Sequence, residues 1–152
     1  MIKRFIIAMV FIVLGITSSH AQDAKYKALF IYNFTKHIEW PASAKTGDFV
    51  IGVVGNNDVF NNISAIAGGK KAGSQNIVVK KFKNVEEITD CHILFVGMGQ
   101  SGSSKFEIIQ GKTSNKNTLL VTERAGMAKK GAIINFVVQE GKIKFELNKA
   151  NA

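Results

Sequence analysis

Short apolar runs bounded by turn-forming residues constrain this chain more than any other feature. Residues 48–55 read DFVIGVVG and residues 91–96 read CHILFV, so neither run alternates apolar with polar side chains. Such runs are typical of strands buried on both faces, as in a parallel sheet. Further strands are predicted over residues 76–82 and 118–122. Both faces of this sheet then need helices to cover them.

Helical periodicity appears between the predicted strands. Apolar residues recur at spacings of three and four over residues 23–40, which predicts a helix that Pro41 ends. Asp58 is predicted to cap a second helix over residues 59–67, which Gly68 and Gly69 stop. Shorter helices are predicted over residues 85–88, with Asn84 as the cap, and over residues 105–110, with Phe106 and Ile109 inward.

The end of the chain changes character. Residues 132–138 and 142–148 flank a short link that contains Gly141, which predicts an antiparallel hairpin. In the second arm Ile143, Phe145 and Leu147 are expected to face the core, with the residues between them in solvent. The predicted fold class is α/β: a mainly parallel sheet with helices on both faces that ends in an antiparallel β-hairpin.

The N-terminus has the layout of a secretory signal peptide. Lys3 and Arg4 precede an uncharged stretch over residues 5–16, which is too short for the ~20 residues of a membrane-spanning helix. Small residues then lead to a cleavage site expected between Ala21 and Gln22, with an uncleaved anchor as the alternative. We therefore predict a signal peptide over residues 1–21, a single domain over residues 22–152 and a periplasmic location.

The charge of the chain is +9. Without Lys3 and Arg4, the 20 basic residues fall to 18 against 11 acidic ones, a net charge of about +7. The lysines are scattered, and Arg124 is the one arginine beyond the predicted cleavage site. A solvated basic surface is therefore expected rather than a nucleic-acid partner, with attraction to anionic membrane or cell-wall surfaces as the alternative.

The sequence shows no pattern typical of a catalytic or metal site. Cys91 is the only cysteine, which excludes a disulfide within the chain and favours a small core residue. His37 and His92 lack the spacing of metal ligands. We predict no enzyme activity, no metal and no cofactor.

A glycine-rich loop imitates a dinucleotide fingerprint. Residues 97–102 read GMGQSG after a strand and before a helix, and Glu123 follows at the distance of a ribose-binding acid. That fingerprint normally follows the first strand of its fold, whereas here it follows the third. We therefore expect a strand-to-helix loop.

Aromatic, amide and basic residues gather at the ends of the predicted elements, where side chains can line a pocket. Packing alone is the alternative, since large aromatic residues are usually core. The candidate partner-binding or ligand-binding residues are Tyr32, Asn33, Phe34, Trp40, Pro41, Arg124 and Asn135.

These residues belong to a longer pattern that resembles the YfiR family of periplasmic proteins. It comprises KALFIYNFTKHIEWP, FVIGVVGNNDVF, CHILFV and LLVTERAGMAKKGAIINFVVQEGKIKFELN, and extends over residues 25–148. The resemblance implies a compact α/β domain. It also implies a periplasmic repressor that binds the outer-facing domain of an inner-membrane diguanylate cyclase, or of a sensor kinase, and thereby controls cyclic di-GMP and biofilm formation.

Two departures from the family pattern carry expectations. Members under redox control use paired cysteines, so a disulfide switch is not expected with Cys91 alone. Members usually continue into one more helix, whereas this sequence ends at Ala150-Asn151-Ala152. If that helix covers a sheet face, its loss is expected to expose apolar surface and to promote dimerisation or instability.

The alternative function is a periplasmic domain that binds a small molecule, such as a nucleotide or an amino acid, at the glycine-rich loop and Arg124.

Overall fold

A computed structural model describes the backbone of residues 2–151 and the side chains of residues 20–151. The helices are α1 (Ile2–His37), α2 (Asn57–Ala67), α3 (Ser103–Thr113) and α4 (Met127–Lys130). The strands are β1 (Phe49–Val54), β2 (Lys71–Ala72), β3 (Gln75–Phe82), β4 (Ile93–Val96), β5 (Leu119–Thr122), β6 (Ile134–Gln139) and β7 (Lys142–Leu147).

The seven strands form one sheet in the order β2-β3-β1-β4-β5-β6-β7. Neighbours from β3 to β6 are parallel, and the two outer pairs, β2 with β3 and β6 with β7, are antiparallel. The predicted α/β class is therefore confirmed. The chain leaves β1 toward β3 and then crosses to β4 on the other side of β1. The carboxyl ends of β1 and β4 thus mark the switch point where open sheets of this kind hold ligands.

Helices cover both faces of the sheet, as the apolar strands required. On one face α1 and α2 bury Ile31 and Ile63 against Ile51 and Phe95. On the other, α3 and α4 bury apolar side chains, among them Phe106, against Leu94 and Val96 of β4. Alternate residues of each central strand therefore enter two separate cores, which explains why these strands are apolar throughout.

The predicted hairpin is present, but its outer strand is only partly covered. Glu140 and Gly141 both have positive φ, as a two-residue hairpin turn requires. The apolar residues of β7 lie on the α1 face, where the ring of Phe145 contacts Phe30 at a centroid distance of 5.7 Å. However, Phe145 is 42% exposed and Leu147 50% exposed. The expectation that both are core residues was wrong because β7 is the last strand and α1 covers only its inner side.

Several predicted boundaries differ from the structure. The first helix ends at His37, three residues before its predicted end at residue 40. The cap of α2 is Asn56, whose Oδ1 accepts the Val59 amide, rather than Asp58. Residues 85–88 form a turn instead of a helix, although Asn84 does accept the Glu87 amide. The short strand β2 and the one-turn helix α4 had no prediction.

The predicted signal peptide falls mostly on residues whose side chains lie outside the described part of the chain, which begins at residue 20 for side chains. The helix α1 continues through Ala21 and Gln22 without a break. Among the described residues, no helix combines the length and apolar character needed to cross a membrane.

Candidate functional site

The candidate residues in the last turns of α1 point in different directions. The ring of Tyr32 faces α2, with the ammonium groups of Lys36 and Lys70 at 4.3 and 4.8 Å from its centroid. The ring of Phe34 lies edge-on to Phe145 of β7, at 5.8 Å. Asn33, between them, is exposed. Residues two positions apart in a helix are separated by about 200° around its axis, so Tyr32 and Phe34 lie on opposite flanks of α1.

Trp40 holds the segment after α1 against the amino ends of the strands. Its indole N–H donates to the Asn117 carbonyl at 3.1 Å, and its ring lies edge-on to Phe49 at 4.9 Å. The imidazole of His92 stacks on Phe49 at 4.4 Å and lies edge-on to Trp40 at 6.4 Å. These contacts bury Trp40 and leave the adjoining Pro41 exposed. The aromatic group therefore fixes the position of one exposed corner of the molecule.

The hydrogen bonds of His92 define its tautomer. The Nδ1 atom accepts the Val50 backbone N–H at 3.1 Å, so the ring proton is on Nε2, which donates to the Ala44 carbonyl at 2.7 Å. Both ring nitrogens of His92 therefore bond to the backbone. Its ring ties the loop before β1 to the start of β4.

Beside Trp40 lies a groove of about 660 Å³ at the amino ends of β5 and β6. It is mainly apolar: Trp40, Leu119 and Ile133 line it, and Leu147 of β7 closes one side. Pro41 and the end of α3 form the rim. The volume lies in the range of sites that take small molecules or an anchoring side chain of a protein partner. We refer to it as the amino-edge groove.

Arg124 lies at the opposite edge of the sheet. Arg124 follows β5 and is exposed, whereas Asn117, which holds Trp40, precedes β5. The two residues are seven positions apart in the chain, roughly 20 Å for an extended segment. The candidate residues therefore do not form one site: Trp40 and Pro41 lie together at the amino-edge groove, and Arg124 lies far from it.

Asn135 is fully buried, and its amide is used within the protein. Its Oδ1 accepts the Thr122 hydroxyl at 2.7 Å, and its Nδ2 donates to Glu146 at 3.2 Å. This chain of hydrogen bonds crosses β5, β6 and β7. The contacts give Asn135 a role in joining the hairpin to the sheet.

The glycine-rich loop at the switch point holds a carboxylate of the protein itself. Glu123 accepts the Met98 backbone N–H at 3.0 Å and the Asn56 amide at 3.2 Å, and pairs with Lys27 Nζ at 2.7 Å. These are the donors that a bound phosphate would use. Glu123, which the spacing placed as a ribose-binding acid, instead ties together the loops after β1 and β4 and the helix α1.

The close approach of these loops depends on Gly97. A Cβ at this position would lie 2.3 Å from the carbonyl oxygen of Gly55, a backbone atom that cannot turn aside. Gly97 therefore permits close packing between the two loops, whereas a Cβ at Gly99 would meet nothing within 4 Å.

The sequence analysis missed Lys27 as a member of this cluster. Lys27 lies on α1 three residues after Ala24 and four before Ile31, both of which are buried. A lysine at a position that continues an apolar stripe is the signal that could have found it, because such a charge needs a partner.

Cys91 is buried beneath β1. Burial raises the pKa of its thiol from 9.0 to about 12. The thiolate that reacts with oxidants and metals is therefore scarce at neutral pH. Within the described part of the chain, no three His, Cys, Asp or Glu side chains come together as a metal site requires.

Comparison with known proteins agrees with the resemblance in the sequence. The family model described as YfiR/HmsC-like matches residues 24–152. The chain belongs to this family. No curated protein matches it.

Proposed function

We propose that this member of the YfiR/HmsC-like family is a non-catalytic periplasmic regulator of a membrane-bound signalling protein. Its partner is the periplasmic domain of an inner-membrane diguanylate cyclase, which the regulator holds inactive. The observation that carries the proposal is the family match over residues 24–152. A sensor kinase with a similar periplasmic domain is the other partner in this class.

The amino-edge groove is our candidate for the partner surface. Trp40 lines the groove and Pro41 stands at its rim, on a segment that ring contacts among Trp40, Phe49 and His92 hold in place. A preformed apolar pocket with a rigid rim loses little conformational entropy when a partner residue enters it. A side chain from the partner's periplasmic domain would fill the groove between α1 and α3.

Deletion of the gene tests this function. If deletion releases the cyclase, cyclic di-GMP and biofilm formation should both rise, and the wild-type gene should restore both to their original levels. A Pro41→Asp variant, which places a charge at the exposed rim, should fail to restore them. Ile108→Asp, at a comparably exposed position on α3, is the matched control and should restore them. Unchanged cyclic di-GMP after deletion would contradict a cyclase partner.

Export is tested separately. If the signal peptide is cleaved as proposed, the protein recovered from the periplasmic fraction begins at Gln22. A protein that stays in the cytoplasmic fraction, with Met1 intact, would contradict the periplasmic location.

The groove also favours a second function, the binding of a small molecule. Its volume of about 660 Å³ suits a nucleotide or an amino acid. The loop around Met98 is less suited to an anion, because Glu123 takes its free N–H. A thermal-shift screen with nucleotides and amino acids tests this function, and the Pro41→Asp variant should weaken any hit. No change in melting temperature with any nucleotide or amino acid would contradict this second function.

A further inference from the structure

A second crevice adjoins the amino-edge groove, since Ile38, Glu39 and Trp40 line both. It has a volume of about 440 Å³ and lies between the end of α1, the loop before β1 and the turn that joins β2 to β3. The buried rings of Trp40 and Phe49 form part of its lining. The crevice therefore offers an apolar surface at a place where three segments of the chain meet.

The charged side chains of this crevice are mainly basic. Lys36, Lys45 and Lys71 line it, and Glu39 is the one carboxylate in its lining. In the part of the chain whose side chains are described, both ion pairs involve other lysines, so these three have no carboxylate partner. A cleft with an excess of one charge over apolar walls attracts ions of the opposite charge. We refer to it as the lysine crevice.

A fourth lysine adds positive charge beside the crevice. The ammonium groups of Lys36 and Lys70 lie 4.3 and 4.8 Å from the centroid of the same Tyr32 ring. Lys70 directly precedes Lys71, which lines the crevice. Like charges gathered in this way repel one another, and a bound anion would relieve the repulsion.

Gln75 supplies the crevice with a hydrogen-bond acceptor. Its Nε2 donates to the carbonyls of Ala44 and Thr46, at 3.2 Å each, which fixes the orientation of the amide. Among the described residues Oε1 has no donor, yet no buried side-chain oxygen lacks a partner, so solvent must reach Oε1. Because Gln75 lines the crevice, a ligand there can donate a hydrogen bond to it.

The walls of the crevice are joined before any ligand enters. The two hydrogen bonds of Gln75 tie the β2–β3 turn to the loop before β1. The edge-on contact of Trp40 with Phe49, at 4.9 Å, fixes the segment after α1. A site whose walls are already positioned loses little conformational entropy on binding.

The chemistry of the lining selects one class of ligand. The lysines require an anionic group, and Oε1 of Gln75 requires an N–H or O–H donor. The rings of Trp40 and Phe49 favour an apolar side chain. A simple inorganic ion such as sulfate meets the first requirement alone. An extended peptide meets all three, with aspartate or glutamate carboxylates, backbone N–H groups and an apolar residue between the acids.

We propose that the lysine crevice binds an acidic peptide segment of a protein partner. The carboxylates of the segment pair with Lys36, Lys45 and Lys71, a backbone N–H donates to Gln75, and an apolar side chain packs against Trp40. The site is a different cavity from the amino-edge groove, and the proposal holds whichever partner carries the segment.

The first experiment uses the peptide acetyl-EELEE-amide as the probe, with protein purified from cells that express the full chain. Trp40 is the only tryptophan, so its emission reports binding beside it, and titration calorimetry gives the dissociation constant. That constant should be about 1 mM or lower. The uncharged peptide acetyl-QQLQQ-amide should bind about tenfold more weakly or less. Salt at about 1 M, where the Debye length is ~3 Å, should abolish binding.

The second experiment locates the site by charge reversal. Lys71→Glu should raise the dissociation constant of acetyl-EELEE-amide about tenfold or more. Lys45→Glu, on a different wall, should act in the same way. Lys129→Glu makes the same charge change at an exposed position of α4 outside the crevice, and should change the constant less than about twofold. Circular dichroism melts show whether each variant folds.

Three results would overturn the proposal. The first is a wild-type protein that does not bind acetyl-EELEE-amide at millimolar concentration. The second is an equal loss of affinity in the folded Lys71→Glu and Lys129→Glu variants, which would indicate attraction to the net charge alone. The third is tighter binding of inorganic phosphate or of oligogalacturonate than of the peptide, which would assign the crevice to a small anion or to an acidic polysaccharide.

Discussion

The ammonium nitrogen of Lys27 lies 2.7 Å from a carboxylate oxygen of Glu123, and both side chains are largely buried, at 14% and 8% exposure. The pair joins α1 to the loop after β5. Glu123 also holds the amide groups of Asn56 and Met98. Three segments that are distant in sequence therefore meet on one carboxylate at the switch point of the sheet.

Removing one member of this pair should strongly destabilise the protein. Lys27→Met leaves a buried carboxylate without its counter-ion, which costs about 3 kcal/mol in a largely buried site. Urea unfolding measures the loss. The matched control is Lys116→Met, which breaks the exposed pair with Asp90 at the same 2.7 Å distance. An exposed pair is worth about 0–1 kcal/mol, so equal losses in the two variants would contradict the role of burial.

Asn135 and Asn33 should respond differently to substitution by alanine. Asn135→Ala removes both hydrogen bonds of a fully buried amide and should lower the free energy of unfolding by about 1–3 kcal/mol. Asn33 is exposed on α1, so its substitution should change stability by less than about 0.5 kcal/mol. Chemical denaturation of both variants checks this difference. A neutral Asn135→Ala variant would contradict the structural role assigned to that amide.

The glycines of the GMGQSG loop should differ in how well they tolerate substitution by alanine. Gly97→Ala forces a methyl group against the Gly55 carbonyl oxygen and should destabilise the protein by about 1–3 kcal/mol, or shift the loop that carries Met98. At Gly99 an added Cβ meets nothing within 4 Å, so Gly99→Ala should be nearly neutral. Thermal melts of the two variants make the comparison. Equal tolerance at both positions would mean that the two loops do not approach as described.

Cys91 should make stability depend on alkaline pH. The pKa of its thiol is 9.0 when exposed in the unfolded chain and about 12 in the folded protein. Between these pH values the folded protein keeps a proton that the unfolded chain releases. The stabilisation by the protonated thiol is complete below pH 9 and is lost as pH rises toward 12. Urea unfolding from pH 8 upward should show a steeper decline for wild type than for Cys91→Ala. Parallel pH profiles would contradict this assignment.

The same burial predicts low thiol reactivity. A maleimide at pH 7.5 should label Cys91 slowly in the native protein and rapidly in urea, because the native thiol is both protonated and enclosed. Rapid labelling of the native protein would show that Cys91 becomes accessible through local opening.

Much of the fold follows from short-range pattern. The apolar runs around Ile51 and Ile93 predicted buried strands because each alternate residue enters a different core. The link at Gly141 predicted the hairpin because few residues adopt positive φ there. The cap at Asn56 was misplaced by two residues since Asp58 is an equally good capping residue type. The exposure of Phe145 and Leu147 was missed because alternation reports which face a residue takes, whereas coverage depends on where α1 lies.

The candidate site depended on contacts that no local pattern reports. Trp40 bonds to a residue 77 positions away, and Lys27 pairs with one 96 positions away. The candidate residues appeared to be a single group because all lie at element ends, but the ends belong to opposite edges of the sheet.

The sequence by itself determined the α/β class, the buried strands and the family, because these depend on periodicity and motif order within short segments. Only the tertiary structure decided that Glu123 fills the switch point, that Trp40 borders a groove and that, among the described residues, β7 is an outermost strand with partly exposed apolar side chains. The physical reason is strand order: it sets which distant side chains meet, and no spacing along the chain encodes it.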